Sequence, residues 1–264
     1  MNGVVKSVGS LCRSLGRLVE DVGYGLQGRL AYKETLHKSQ TLSKYKDSLY
    51  PTVKDEVFVA PNASVIGDVT IGKGSSVWYG CVIRGDVNSV TIGEMSNIQD
   101  NVMVHVAKHN AAGIPRKTVI GSGVTVGHGA TIHAATVEDG SVVGMGAVIM
   151  DGAVVEKAAI VAAGSLVVPG TVVKSREVWA GSPAACVRKV SDDEAAAIEQ
   201  AAVDYSNLGA VHAAENCKTF GEIELDRARR WDRQTRDPDY DLQQGVEREI
   251  ETRELVPTGY VQTQ

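Results

Sequence analysis

Three of the six histidines, His105, His128 and His133, crowd into one stretch of this chain. A neutral imidazole is a good zinc ligand, and one with an ordinary pKa near ~6.5 exchanges protons at neutral pH. The same side chain also occurs as a plain surface or packing group. Just upstream stand Arg84 and Asp86 in "VIRGDV" and Gln99 and Asp100 in "NIQDN". Three imidazoles on one metal ion leave a fourth position open for water, the arrangement of a catalytic zinc site. Whether these three converge depends on the frame that carries them. The other histidines, His37, His109 and His212, have no such company and read as surface residues.

The composition narrows the choice of frame. Of 264 residues, 43% are hydrophobic, but aromatics make up only 5% and Phe occurs twice. A core with so few rings has to be built from Val, Ile and Ala in a repetitive arrangement. The net charge of −5 gives no footprint for nucleic acid. Cys12, Cys81, Cys186 and Cys217 are scattered, with no Cys-x-x-Cys, which suits a reducing compartment and offers no thiolate zinc site. No apolar run approaches the roughly 18–20 residues of a membrane-spanning helix.

A branched aliphatic residue recurs every six positions. The runs are Val53, Val59, Val65, Ile71, Val77, Ile83; then Ile92, Ile98, Val104; then Ile120, Val126, Ile132; then Val137, Val143, Ile149, Val155, Val161, Val167, Val173. A small residue often follows, as in "TIGKGS" and "TVGHGA". An alternating sandwich would show period two instead. Period six is the hexapeptide pattern of an all-β, left-handed parallel β-helix, a triangular prism with six residues per face and 18 per coil. β-Branched residues suit the inward position because they pack well on a strand and lose little rotamer freedom there. The phase slips three times: Ile83 to Ile92 is three residues too long, Val104 to Ile120 ten too long, and Ile132 to Val137 one too short.

The repeat then gives the geometry. His105 and His133 each follow an inward aliphatic and stand 28 residues apart. Without the ten-residue loop this is 18, one full coil, so they stack about 4.8 Å apart on one face. Arg84 has the same phase, which makes one column of Arg84, His105 and His133. His128 falls two places after Val126, with Asp100 stacked beside it, and Gln99 shares the phase of Trp78 and Gly127. This second column belongs to another face. Three copies around a threefold axis would bring the two columns together at each interface. On residues alone, a shared metal centre and a set of ordinary surface histidines both stay open.

The stretches "VIRGDVNSVTIGEMSNIQDNVMVHVAKHN", "VTVGHGATIHAATVEDGSVVGMGA", "VWAGSPAACVRKVSDDE" and "DYSNLGAVHAAEN" resemble the γ-class carbonic anhydrases. More closely, they resemble the γ-carbonic anhydrase subunits of mitochondrial respiratory complex I in plants and algae. The resemblance covers nearly the whole chain. It implies His105, His128 and His133 as ligands of Zn2+, with Fe2+ or Co2+ as substitutes, two ligands coming from one subunit and one from its neighbour. It implies Arg84 as an interface arginine with Asp86 and Asp100 as acidic partners. Gln99 matches a residue that hydrogen-bonds the metal's solvent, and Tyr205 and Asn207 match polar residues near the site. It further implies reversible hydration of carbon dioxide to bicarbonate, a homo- or heterotrimer with paralogues, complex I membrane-arm subunits as partners, and a peripheral place on the matrix side of the mitochondrial inner membrane.

The chain departs from that pattern in two places. The archaeal type has Glu after the Asp of the arginine motif, where this chain has Val87. The loop after the first ligand has an acidic proton shuttle there, whereas here it reads "HVAKHN", with Lys108 and His109. An assembly subunit that keeps the metal site without turnover is therefore an alternative. A CoA-dependent acyltransferase is another, since "WAGSPAACVRK" also resembles that class. Those enzymes use one catalytic histidine, and this chain has the three-histidine set.

Residues 1–30 read as an amphipathic helix, with Val4, Val8, Leu11, Leu15, Leu18, Val22 and Leu26 in a narrow stripe. Gly9, Gly16 and Gly23 form a second stripe. Lys6, Arg13 and Arg17 precede the first acid, Glu20, as in an import presequence. "SDDE" at 191–194 is a capping box that should open a long helix reaching about Cys217. The expected organisation is a helical docking segment over 1–45, the β-helix over 46–190, a helix over 191–217 and a charged, solvated extension over 218–264.

Overall fold

The computed structural model describes residues 3–27, 40–46, 48–109 and 116–235. The chain divides into two units, Met1–Gln40 and Thr41–Gln264.

Among its described residues the first unit carries a helix, α1, over Gly3–Gln27. Its apolar stripe is open: Val8, Leu11, Leu15, Leu18, Val22 and Leu26 are each more than half exposed. Gly9, Gly16 and Gly23 also face open space. Among the described residues, no helix is long and apolar enough to cross a membrane.

The second unit is a left-handed parallel β-helix. Short strands repeat on three faces. The first face stacks the beginnings of Ser64–Ile71 and Val82–Ile92 with Met103–His105, Thr131–His133, Val148–Ile149 and Leu166–Val167. The second stacks Thr52–Val53, the ends of the two long strands, Thr118–Ile120, Thr136–Val137, Val154–Val155 and Val172–Val173. The third runs Phe58–Val59, Ser76–Val77, Asn97–Ile98, Thr125–Val126, Val142–Val143, Ile160–Val161 and Glu177–Gly181. An additional strand, Leu42–Ser43, pairs with Val65–Ile66 ahead of the first hexapeptide. The exit segment turns back as Ala184–Lys189, antiparallel to Glu177–Gly181, an arrangement the period-six pattern does not contain.

The inward aliphatics are the core. Every one from Val65 to Val173 is essentially inaccessible, and only Val53 and Val59, in the first coil, are partly covered. Full burial of each Val or Ile side chain is worth about 1.5–3 kcal/mol. Successive inward residues are register partners, for example Ile83 with Val104 and Ile132 with Ile149, so the aliphatic columns run unbroken along the prism. The three phase slips are local events on this frame. The three-residue excess is a bulge in Val82–Ile92, where the pairing jumps from Gly67 with Gly85 to Val69 with Val90. The ten-residue excess leaves the prism through a bridge between Ala107 and Arg116. At the deletion, Ala134 takes φ +48° and turns the chain in fewer residues.

A long helix, α2, spans Asp192–Asn216. The Ser191 side chain accepts from the Glu194 N–H at 3.2 Å, and the Glu194 carboxylate accepts from the Ser191 N–H at 3.0 Å, so both halves of the capping box form. The helix lies on the third face and comes closest at Gly209, where an added Cβ would stand 3.3 Å from that of Phe58. A further helix, α3, covers Phe220–Thr235, inside the segment expected to be a solvated extension. Thr219 and Glu222 cap it reciprocally, so "TFGE" was the legible signal.

Candidate metal centre

The bulge at Gly85 brings the first charged group into position. A Cβ at Gly67 (φ +82°) would stand 2.2 Å from the Gly85 carbonyl oxygen, and a Cβ at Gly85 would stand 2.2 Å from that of Asp68. Both clashes are with backbone, so only glycine fits at the crossing. The next residue, Asp86, turns back over the first face. Its Oδ2 lies 3.0 Å from Arg84 Nη1, and its Oδ1 lies 3.0 Å from His105 Nε2. Burial pushes the Asp86 carboxyl up. The hydrogen bond to His105 and the Arg84 charge outweigh it and hold the group below the usual carboxylate range.

His105 is the register partner of His133 on the neighbouring coil. The two rings tilt at 48°, with centroids 5.2 Å apart. Thr118 donates its hydroxyl to the His105 carbonyl and ties the return from the extruded loop to this strand. His133 Nδ1 lies 2.6 Å from Asp151 Oδ1. Arg84, Asp86, His105, His133 and Asp151 thus form one polar row at the end of the first face.

His128 occupies a different corner, where the third face turns into the first. Its Nδ1 is 3.0 Å from Asp100 Oδ2, while Asp100 Oδ1 accepts the Tyr79 N–H at 3.0 Å. His128 stands in the turn that opens the first face and His133 ends the strand Thr131–His133, so the two histidines of one chain sit at opposite ends of that face. Among the described residues, no three His, Cys, Asp or Glu side chains of this one chain gather closely enough to hold a metal. Within the chain Asp100 therefore faces His128, and Arg84 takes Asp86 as its partner.

The donor chemistry fits a borderline divalent metal. Each of the three imidazoles offers one nitrogen to a carboxylate and keeps the other for a ligand. That pairing is how metal-binding histidines are commonly oriented. His128 and His133 turn Nδ1 to their aspartates, and His105 turns Nε2.

The remaining predicted residues belong to the third face and its covering helix. Gln99 is buried and donates to Asn97 Oδ1 at 3.2 Å, and Asn97 donates to Thr125 Oγ1 at 2.8 Å. Tyr205, on α2, packs edge-on to Trp78 at 5.8 Å, and Asn207 is exposed on the same helix. His212 departs from its expected surface place. It is half-buried in an aromatic cluster, its ring 4.8 Å from Trp78 and 5.8 Å from Phe58, with Nδ1 3.0 Å from Tyr79 Oη. Asn216 donates to the same Tyr79 oxygen at 3.0 Å. This cluster gathers the scarce rings under α2, which the six-residue period could not reveal. His109 is exposed as expected, and His37 lies outside the described residues. Sequence reasoning missed Asp151, because the coil from Ile132 to Ile149 is 17 residues long and the position in phase with His133 is Met150, one residue before the aspartate.

Residues 195–258 match the family description "Gamma carbonic anhydrase 1, mitochondrial C-terminal domain", and residues 50–85 match "Bacterial transferase hexapeptide (six repeats)". The chain is 51% identical over 253 residues to Gamma carbonic anhydrase 2, mitochondrial, of Arabidopsis thaliana, covering 96% of this chain and 91% of that protein. It is 47% identical over 235 residues to Gamma carbonic anhydrase 3, mitochondrial, of the same plant, covering 89% and 90%. Among solved structures, a hexapeptide transferase family protein from Anaplasma phagocytophilum superposes with a TM-score of 0.59 at 43% identity, covering 64% of this chain and 96% of that one. Half-identity sustained over 96% of this chain shows the family, and the chain belongs to the γ-carbonic anhydrase family.

Proposed function

We propose that three copies of this chain, or of this chain and its paralogues, share metal sites at their interfaces. His105 and His133 of one subunit and His128 of the next would hold the ion, and the assembly would hydrate carbon dioxide reversibly. One observation carries the reading: two imidazoles in direct register at one end of a face, and the third at its other end, each already oriented by a carboxylate. Zinc suits three neutral imidazoles, and it would lower the pKa of bound water to about 7. The chain's own residues do the rest. Asp86 holds His105 in place and is itself held by Arg84. In the assembly, Arg84 also meets Asp100 of the neighbouring copy. Gln99 orients the solvent, with Tyr205 and Asn207 lining the approach from α2. His109, exposed four residues after the first ligand, is the imidazole we take to carry the proton away.

The names of the relatives support a mitochondrial location. The open apolar stripe of α1 supports attachment to a larger partner, which we take to be the membrane arm of complex I on its matrix side.

A second reading has support of its own. Val87 is 46% exposed and lines a cleft of about 480 Å³ together with Lys46, Asn88, Lys108 and the carboxylates of Asp68 and Asp86. With Val87 and not an acidic group directly after Asp86, the site can keep its metal and its assembly role while proton export is slow. An acyltransferase is disfavoured by the three-histidine set, and acetyl-CoA binding would revive it.

The test uses subunit mixing. Purified His128→Ala protein and His105→Ala/His133→Ala protein each lack a complete ligand set at every interface. Mixed and reassembled, some interfaces regain all three histidines. Recovery of bound zinc and of carbon dioxide hydration only in the mixture is the expected result. Zinc retained by either variant alone would sink the shared-site reading. Zinc recovered without hydration would favour the assembly role.

A further inference from the structure

Asp151 makes the shortest of the three histidine–carboxylate contacts, 2.6 Å to His133 Nδ1, against 3.0 Å for Asp86 with His105 and 3.0 Å for Asp100 with His128. The turn that carries it is fixed from both sides. The Gly152 N–H donates to the Ala134 carbonyl at 2.8 Å, which ties the turn to the residue after His133. The Gly170 N–H donates to the Asp151 carbonyl at 3.0 Å, which ties it to the next coil. Gly152 has φ +70°, and the Arg116 guanidinium lies over it, with its carbon 3.2 Å from where a Cβ would stand. A side chain there would be strained by the positive φ and would press on the Arg116 guanidinium. The carboxylate is therefore delivered to one ring nitrogen by backbone bonds, not by its own rotamer preference alone.

We propose that Asp151 is a positioning residue of the metal centre. It accepts the Nδ1–H of His133, selects the tautomer in which Nε2 carries the lone pair, and aims that nitrogen outward from the face. A carboxylate in this role also raises the basicity of the ligand nitrogen. The inference rests on the metal-site reading given above and adds to it a residue outside the three-histidine and arginine motif. The competing view is an ordinary surface ion pair, since both side chains are about one-third exposed, at 34% each.

The full-length protein distinguishes the two. Zinc affinity is measured by chelator competition for wild type, Asp151→Ala and Asp151→Asn, with cobalt(II) absorption as a report on ligand geometry. Metal-free thermal midpoint and oligomer mass are recorded beside them. Asp151→Ala should weaken zinc binding about 10- to 100-fold and alter the cobalt spectrum. Asp151→Asn can still accept the Nδ1–H and should fall between the other two. Midpoint and mass should stay at wild-type values. Equal affinity in all three proteins overturns the assignment and leaves the metal site standing. So does an affinity loss matched by a fall in the metal-free midpoint, which is what a merely structural pair would give. A wild type that binds no zinc overturns both this inference and the site it rests on.

Discussion

His105 and His133 are register partners on adjacent coils, and their ring centroids stand 5.2 Å apart. The aliphatics that precede them, Val104 and Ile132, are themselves paired in the core, so the imidazole spacing is inherited from backbone pairing. Replacing either histidine by Ala removes a partly exposed group and leaves the inward column intact. Each variant should lose bound zinc to background while the metal-free protein changes in stability by about 1 kcal/mol or less. Metal analysis beside thermal denaturation checks this, and full zinc occupancy in His133→Ala would contradict it.

The support under the histidine can be weakened separately. Ile132 is fully buried next to His133. Ile132→Ala should cost about 2–5 kcal/mol through lost burial and the cavity left behind. Chemical denaturation measures the cost. A loss under about 1 kcal/mol would mean that the coil collapses into the gap and that the prism is softer than its pairing suggests.

Gly85→Ala tests the bulge. The added methyl meets the Asp68 carbonyl, which can move only by opening the crossing with Gly67. We expect a destabilisation of about 2 kcal/mol or more, as for other buried backbone clashes. Zinc affinity should fall as well, because Asp86 loses its approach to His105. Wild-type stability together with wild-type affinity would show that the crossing relaxes freely.

The cap of α2 gives a pH dependence. Glu194 is held down to about 2 by its two hydrogen bonds with Arg188, then by the Ser191 N–H. A carboxylate depressed on folding contributes stability above its unfolded pKa, and loses it as pH falls through the folded value. The contribution should therefore be complete above about 4.5 and vanish near 2. Circular dichroism of wild type and Glu194→Gln should show helix loss converging for the two proteins at the acid end of that window. Parallel curves across it would mean that the cap contributes nothing.

Truncation at Tyr32 removes α1 and leaves the strand Leu42–Ser43 and everything after it. The shortened protein should keep its metal and its oligomeric mass but fail to join a larger mitochondrial assembly. Normal incorporation of the truncated chain would remove the docking role and favour an import signal.

The sequence by itself determined the prism, because period six in branched aliphatics has one repetitive solution that buries them all. It also determined which histidines stack, since His105 and His133 differ by one coil once the loop is taken out. The "SDDE" box determined where α2 starts, because capping is a local bond between residues three apart. The tertiary structure decided what depends on contacts between coils. Asp86 reaches His105 only because the bulge at Gly85 turns it back over the face. Asp151 reaches His133 across a corner that is one residue short, so the side chain met there is two places after Ile149 and not in the histidine phase. His212 found its place among Phe58, Trp78 and Tyr79 because α2 lies on the third face, and a helix's choice of face is not written in the period of the strands beneath it.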